Sequence, residues 1–229
     1  MNNAATGRVA AIIPAAGSGV RFGAQIPKAF IELDGISLLT RSALAMSVVA
    51  DVIVVAAPSD QLKLASDHLA NVDAEVHVVA GGEARQDSIA NALNVLPEDV
   101  EFVLVHDAAR PLVPVEVTNR VLTELQNGAV AVIPVLPIAD TIKRVDAQNK
   151  VVETVDRNQL RRVQTPQGFT RQTLHHAYAD PTIIATDDAG LMEALGISVL
   201  TVAGNELAMK ITTAHDLTIA SALLGATNE

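Results

Sequence analysis

The chain has 229 residues, a formal net charge of −10 and 49% hydrophobic residues, with 2% aromatics and no cysteine or tryptophan. That length suits one α/β domain with a large aliphatic core, and the acidic balance argues against a broad nucleic-acid or anionic-membrane surface. Without cysteine there are no disulfides or thiolate metal sites; no run approaches a membrane span and no signal peptide is evident, so a cytoplasmic protein is expected.

Met1 to Gly7 reads as a disordered lead-in. Val9–Ile13 is an apolar run of strand length, followed by Pro14-Ala15-Ala16-Gly17-Ser18-Gly19 and by Gly23, Pro27 and Lys28. A loop of such small residues lets the backbone approach a ligand and turn several N–H groups towards one anion. Arg21 adds a planar fork and Lys28 a compact charge, so the loop suits a triphosphate. Pro27 would break the helix that a dinucleotide fingerprint needs at this point, and no Gly-Lys-Ser/Thr follows to make a Walker loop.

Phe30–Gly35 reads as a short extended piece, and Ser37 as the cap of a helix to about Val48. Val52–Ala57 is a second buried strand, and Ser59 is expected to cap the helix carrying Leu62, Ala65 and Leu69. Val76–Ala80 is a third strand ending at Gly81-Gly82, and Asp87 or Ser88 caps a helix stopped by Pro97. Phe102–Val105 is a fourth strand running into His106-Asp107. Pro114 opens a helix to Leu125, and Ala129–Val135 is a fifth strand. Strands buried on both faces and alternating with helices predict a mostly parallel sheet covered on both sides, with ligands beyond the strands' carboxyl ends.

The pattern changes after Pro137. Thr141–Val145 and Val151–Val155 read as a hairpin turning through Asp146–Lys150, and so small a hairpin needs a surface to lie against. Helices follow over Arg171–Tyr178 and from Thr186-Asp187-Asp188 to Leu195. Strands are read at Val199–Val202 and Met209–Thr212, and a helix over Ala214–Leu224. No linker divides the chain, so residues 1–229 are one domain with 138–158 as its arm.

Taken in order, Ala15-Ala16-Gly17-Ser18-Gly19 with Arg21 and Pro27-Lys28, Gly81-Gly82 with Arg85 and Asp87-Ser88, His106-Asp107-Ala108-Ala109-Arg110-Pro111, Asp140-Thr141, Thr165-Pro166-Gln167, Thr186-Asp187 and Lys210-Ile211-Thr212 resemble the 2-C-methyl-D-erythritol 4-phosphate cytidylyltransferase family. The resemblance runs from about Val9 to Leu224. It implies a Rossmann-like nucleotidyltransferase sheet that transfers a cytidylyl group from CTP to the phosphate of methylerythritol 4-phosphate, releasing pyrophosphate. It also implies Mg²⁺ and a homodimer in which the hairpin reaches into the partner. Arg21, Lys28, Arg157 and Lys210 are then the catalytic cations, and Ala15, Ala16, Gly17, Gly19, Gly82, Glu83 and Ser88 the CTP contacts. Asp107, Arg110, Thr141 and Thr165 bind the acceptor, with Asp107 also a candidate Mg²⁺ ligand.

Each acceptor site is expected to combine both subunits, with Thr141 and Arg110 the candidates from one chain and Arg157, Thr165 and Lys210 those from the other. Ala29 and Glu83 depart from the family's usual Gln and Asp. His106 reads as a packed histidine, Arg85 and Asp87 as a local pair, and Asp187 and Asp188 as helix caps. Two other readings are a cytidylyltransferase for ribitol 5-phosphate or glycerol 3-phosphate, and a nucleotide-binding regulatory module without turnover.

Overall fold

The computed structural model describes residues 7–17 and 27–227. The lead-in at 1–6, and Ser18, Gly19, Arg21 and Gly23 of the glycine loop, lie outside the described residues.

In chain order the elements are β1 (Arg8–Pro14), β2 (Glu32–Leu33), β3 (Ile36–Ser37), α1 (Leu38–Ser47), β4 (Val52–Ala57), α2 (Leu62–His68), β5 (Glu75–Ala80), α3 (Arg85–Leu93), β6 (Val100–Val105), α4 (Val115–Gln126) and β7 (Ala131–Pro137). They continue with β8 (Ile142–Val145), β9 (Val151–Val155), β10 (Arg161–Val163), β11 (Gln167–Thr170), α5 (Arg171–Ala177), α6 (Asp188–Ala194), β12 (Leu200–Ala203) and α7 (Ala214–Thr227). The main sheet has the order β10-β7-β11-β6-β1-β4-β5, with β12 also paired to β7. β1 pairs in parallel with β4 and β6, β4 with β5, and β12 with β7, whereas β10 and β11 run antiparallel.

Alternation along β1 explains why helices cover both faces. Val9, Ala11 and Ile13 pack with Leu39, Ala43 and Met46 of α1 and Val117 and Val121 of α4. Ala10 and Ile12 pack with Ile89 and Leu93 of α3, Leu174 of α5 and Met192 of α6. Successive strand side chains point to opposite faces, so a strand apolar at every position needs two helical layers. Each fully buried Ile, Leu or Val contributes roughly 1.5–3 kcal/mol. The expected doubly covered, mostly parallel sheet is present, and among the described residues no helix is long and apolar enough to cross a membrane.

Several local expectations hold. Ser37 caps α1 by accepting from the Thr40 N–H at 3.1 Å, and Asp187 caps α6 by accepting from the Gly190 N–H at 3.1 Å. The hairpin turns as expected, with Asp146 Oδ1 accepting the N–H groups of Gln148 and Lys150 at 2.9 Å each.

Others are corrected. Ser59 does not cap α2, which starts after a turn closed by Gln61 N–H on Pro58 O at 2.9 Å. α3 begins at Arg85, so Asp87 lies in its first turn and accepts the Ala84 N–H at 2.9 Å. Phe30–Gly35 splits into a 3₁₀ turn at Lys28–Phe30 and the small β2–β3 hairpin, whose Asp34 and Gly35 have φ of 49° and 75°. Met209–Thr212 is not a strand, although Ile211 N–H reaches Ala109 O at 2.8 Å.

Candidate active site

The first cleft opens where β1, β5 and β6 end. It holds about 330 Å³ and is lined by Ala15, Ala16 and Gly17 after β1, by Lys28, by Gly82–Arg85 and Ser88 after β5, and by Asp107–Ala109 after β6, with Lys210 at its side. The two glycine-bearing loops touch. A Cβ on Gly81 would stand 2.4 Å from Ala16 Cβ and 2.8 Å from Ser88 Oγ, so only glycine lets the loops close to this distance. Ser88 is buried; its Oγ accepts the Gly82 N–H at 3.1 Å and donates to Ala84 O at 3.2 Å. Its hydroxyl therefore holds the loop in shape, and Gly82 and Glu83 line the cleft beside it.

His106 is fully buried and joins a defined polar chain. Asp107 N–H donates to Thr165 Oγ1 at 3.0 Å, and Thr165 Oγ1 lies 3.1 Å from His106 Nδ1. His106 Nε2 lies 3.2 Å from Arg110 O. A carbonyl can only accept, so Nε2 carries the proton and the Thr165 hydroxyl donates to Nδ1. Burial, only partly offset by Asp107, pushes the His106 pKa down to about 4, and the ring is neutral near pH 7. Histidine here is a strut.

Asp107 is the focus of the cations. Lys210 Nζ stands 2.8 Å from its Oδ2, Arg85 Nε 3.6 Å from its Oδ1, and Arg110 Nε 3.7 Å from its Oδ2. Burial by itself would push the carboxyl up, but Lys210, Arg85 and Arg110 together hold it down at about 2. These cations come from α3, from the turn after β6 and from the segment before α7. Arg110 donates to Ala208 O at 2.6 Å and Val163 O at 3.3 Å. Gln164 clamps the segment leading to Lys210, donating to Asn205 O at 2.8 Å and accepting from Asn205 N–H at 3.0 Å.

Beyond Asp107 lies a smaller pocket of about 130 Å³, lined by Arg110, Val163–Thr165, Gln167, Thr186 and Asp187. Arg85, Asp107 and Lys210 line both spaces and form the wall between them.

Of the residues singled out in the sequence, Ala15, Ala16, Gly17, Lys28, Gly82, Glu83, Ser88, Asp107 and Lys210 meet at the first cleft, and Arg110 and Thr165 at the second. Gly19 and Arg21 lie outside the described residues. Thr141 and Arg157 line neither space; both are exposed, and Arg157 donates to Ala139 O.

The expected division between subunits is corrected, because Arg110, Thr165 and Lys210 surround one pocket of one chain. Thr165 lines the same pocket while its hydroxyl also accepts from Asp107 N–H and donates to His106. The expected Arg85–Asp87 pair is absent, since Arg85 turns to Asp188 at 2.7 Å and Asp87 to Ala84.

Asp107 does not fit as a magnesium ligand. Its carboxylate already faces three cations, and a divalent ion would have to displace the Lys210 ammonium. Among the described residues no group of three or more His, Asp or Glu could hold a metal.

Sequence reasoning misses the parts played by Arg85 and Gln164, and it takes Asp188 for a helix cap. Asp188 is fully buried, accepting from Arg85 and from the Tyr178 hydroxyl, the latter at 2.5 Å. The available signal was a charged residue amid small and apolar ones at a helix start, which also describes an ordinary cap.

A family model described as 2-C-methyl-D-erythritol 4-phosphate cytidylyltransferase matches residues 9–226. A relative of that name from Saccharopolyspora erythraea is 50% identical over 222 residues, covering 94% of this chain and 99% of its own. Another from Rhodococcus jostii is 49% identical over 220 residues, covering 95% and 96%. The crystal structure of the enzyme so named from Thermus thermophilus aligns with a TM-score of 0.77 at 35% identity, covering 94% and 98%. A 4-diphosphocytidyl-2C-methyl-D-erythritol synthase from Anaerococcus prevotii aligns with a TM-score of 0.83 at 29% identity, covering 96% and 99%. Two joined clefts at the carboxyl edge of this sheet thus coincide with likeness along nearly the whole chain, and the chain belongs to the 2-C-methyl-D-erythritol 4-phosphate cytidylyltransferase family.

Proposed function

We propose that the protein transfers the cytidylyl group of CTP to 2-C-methyl-D-erythritol 4-phosphate, giving 4-diphosphocytidyl-2-C-methyl-D-erythritol and pyrophosphate for isoprenoid precursor synthesis. The observation that carries this reading is the shared wall: two spaces, one beside the glycine loop and one beside Arg110, meet at Arg85, Asp107 and Lys210.

CTP takes the first space, with its base at Gly82 and Glu83 and its phosphates at the Ala15–Gly17 backbone and Lys28. The acceptor takes the second, its phosphate at Lys210 and a hydroxyl at Asp107. An oxygen of the acceptor phosphate attacks the α-phosphorus, and the bond to the β-phosphate oxygen breaks as pyrophosphate leaves. Such transfers depend on positioning and on cations that meet the developing charge, and a phosphate monoester needs no general base at neutral pH. Lys28 and Arg21 are the candidates on the nucleotide side. Mg²⁺ accompanying CTP would screen the triphosphate; the described residues offer it no ligand set, and no step is assigned to it.

The whole chain acts as one catalytic domain, with 138–158 as an arm that completes a homodimer. Val145, Val151 and Val152 of the hairpin are 49%, 61% and 58% exposed, which supports a missing covering surface. The stretch 142–162 carries six cations and three acids in a chain of net charge −10, a contrast that suits self-association. Thr141 and Arg157, remote from the cleft of their own chain, are then candidates for the partner's acceptor pocket.

Pyrophosphate release should be measured with CTP, Mg²⁺ and methylerythritol, ribitol or glycerol phosphate in turn. Release with methylerythritol phosphate alone is expected. Equal release with ribitol phosphate would move the assignment to another acceptor, and none with any would leave a nucleotide-binding module.

A further inference from the structure

Asp107 has two kinds of partner. Lys210 is the exchangeable one: its side chain is 45% exposed, and its ammonium is a compact charge on a flexible stem. Arg85 is fixed. Its Nη2 meets Asp188 Oδ2 at 2.7 Å while its Nε faces Asp107 Oδ1 at 3.6 Å. Asp188 has no solvent exposure, and its other oxygen takes the Tyr178 hydroxyl at 2.5 Å. A buried carboxylate stripped of its cation is strongly destabilising, so Arg85 cannot leave Asp188 to follow a ligand. Around this pair, Gln86 donates to Ile183 O at 2.9 Å and Gln167 to Asp187 Oδ2 at 2.7 Å, which ties α3 and β11 to the segment entering α6.

Resting on the functional reading above, we propose that Arg85, anchored by Asp188, is a positioning residue that keeps Asp107 in place while Lys210 moves from Asp107 to the acceptor phosphate. In the ligand-free arrangement the Asp107 carboxylate occupies Lys210 as a phosphate would. A dianionic phosphate outcompetes a single carboxylate for the ammonium only if the carboxylate left behind keeps another cation. Arg85 supplies that cation, and with Arg110 it holds the carboxylate still. Without it only Arg110, whose Nε lies 3.7 Å away, would face the carboxylate, and Asp107 would hold Lys210 more tightly against the phosphate.

The test is the double variant Arg85→Gln with Asp188→Asn, which removes both charges and leaves no buried ion unpaired. The expected result is an acceptor KM raised about tenfold with the CTP KM within about twofold, the split that loss of an acceptor-side contact produces. Inorganic phosphate binding by calorimetry should weaken by a similar factor, and this arm does not depend on turnover. Tyr178→Phe, which keeps every charge and loosens only the anchor, should raise the acceptor KM about two- to threefold with the CTP KM unchanged. An unchanged acceptor KM in both variants, or two KM values rising together, would overturn the proposal. Wild-type protein that releases no pyrophosphate with any acceptor would instead overturn the functional reading, while the phosphate titration would still decide whether Arg85 governs anion access to Lys210.

Discussion

The cleft around Asp107 and the hairpin β8–β9 are opposite ways of holding charge. At the cleft, Arg85, Arg110, Gln164 and Thr165 are each bound by groups from distant parts of the chain. On the hairpin, Arg144 pairs with Glu153 at 2.7 Å, but the two side chains are 63% and 52% exposed, and such pairs contribute at most about 1 kcal/mol. The cleft is organised before any ligand arrives. The hairpin is shaped by its turn and its own short ladder, and its apolar side chains face solvent. A preorganised site gains from rigidity within one chain, whereas Val145, Val151 and Val152 of the hairpin have no such cover among the described residues.

Deleting Arg144–Val152 and closing the gap with a short turn tests that contrast most severely. The expected product is a monomer by light scattering that still binds CTP but turns over methylerythritol phosphate roughly 10³-fold more slowly, having lost the positioning that the proposed partner would supply. A monomer with full turnover would show that one chain suffices. Lys28→Ala tests the cleft itself: kcat should fall by roughly 10²–10³ with the fold intact, as on removal of one preorganised charge donor. Near-normal turnover would remove Lys28 from the chemistry.

The third prediction concerns the rigidity under Asp107. His106 takes up a proton less readily in the folded chain than the free side chain at 6.5, so stability is complete above that pH and is lost as pH falls towards about 4. The loss across that window should be on the order of 3 kcal/mol, and denaturant titrations of His106→Gln should show a smaller one. Equal slopes for both proteins would mean that His106 is not the titrating group. Asp107 contributes separately: its depressed value keeps its share of stability above about 3.8 and releases it only as pH falls towards 2. The smallest effect is expected from Gly81→Ala, whose Cβ must push Ala16 and Ser88 apart. The cost of such overpacking, about 1–3 kcal/mol, should appear as a CTP KM raised about tenfold with kcat for bound substrate nearly kept.

The buried parallel strands were legible because β1 and β4 are apolar at nearly every position, a pattern that requires cover on both faces. β10 and β11 were not, because Arg161-Arg162-Val163 and Gln167-Gly168-Phe169-Thr170 are too short and too polar to show a period; their pairing is dictated by β6 and β7. Met209–Thr212 reads as a strand by its residue types, yet its neighbourhood offers it one carbonyl rather than a ladder. In the site, small residues around Gly17 and Gly82 announced a close backbone approach. The resemblance named Asp107 and Lys210 as site residues, but the wall they form with Arg85 was not announced, since the three are spread along the sequence and only the fold brings them together. Arg85 was matched to Asp87 by proximity, but residues two apart on a helix do not face each other.

β11 lies between β6 and β7, pairing with Phe102–Val105 on one side and with Ala131–Val132 on the other. That placement constrains the order in which the sheet assembles. As the chain is made, β1, β4, β5 and β6 can pair among themselves, but β7 finds no partner until β10, β11 and β12 exist. In that interval a strand destined for the interior of a sheet has two open edges, the condition that invites pairing with another chain. Pro134 and Pro137 fall inside β7, and neither can donate to a neighbouring strand. In the finished sheet the Pro134 carbonyl accepts the Gln164 N–H at 2.8 Å. Along the stretch from Pro134 to Pro137 a strand approaching that edge finds two N–H donors fewer than a regular strand would offer it.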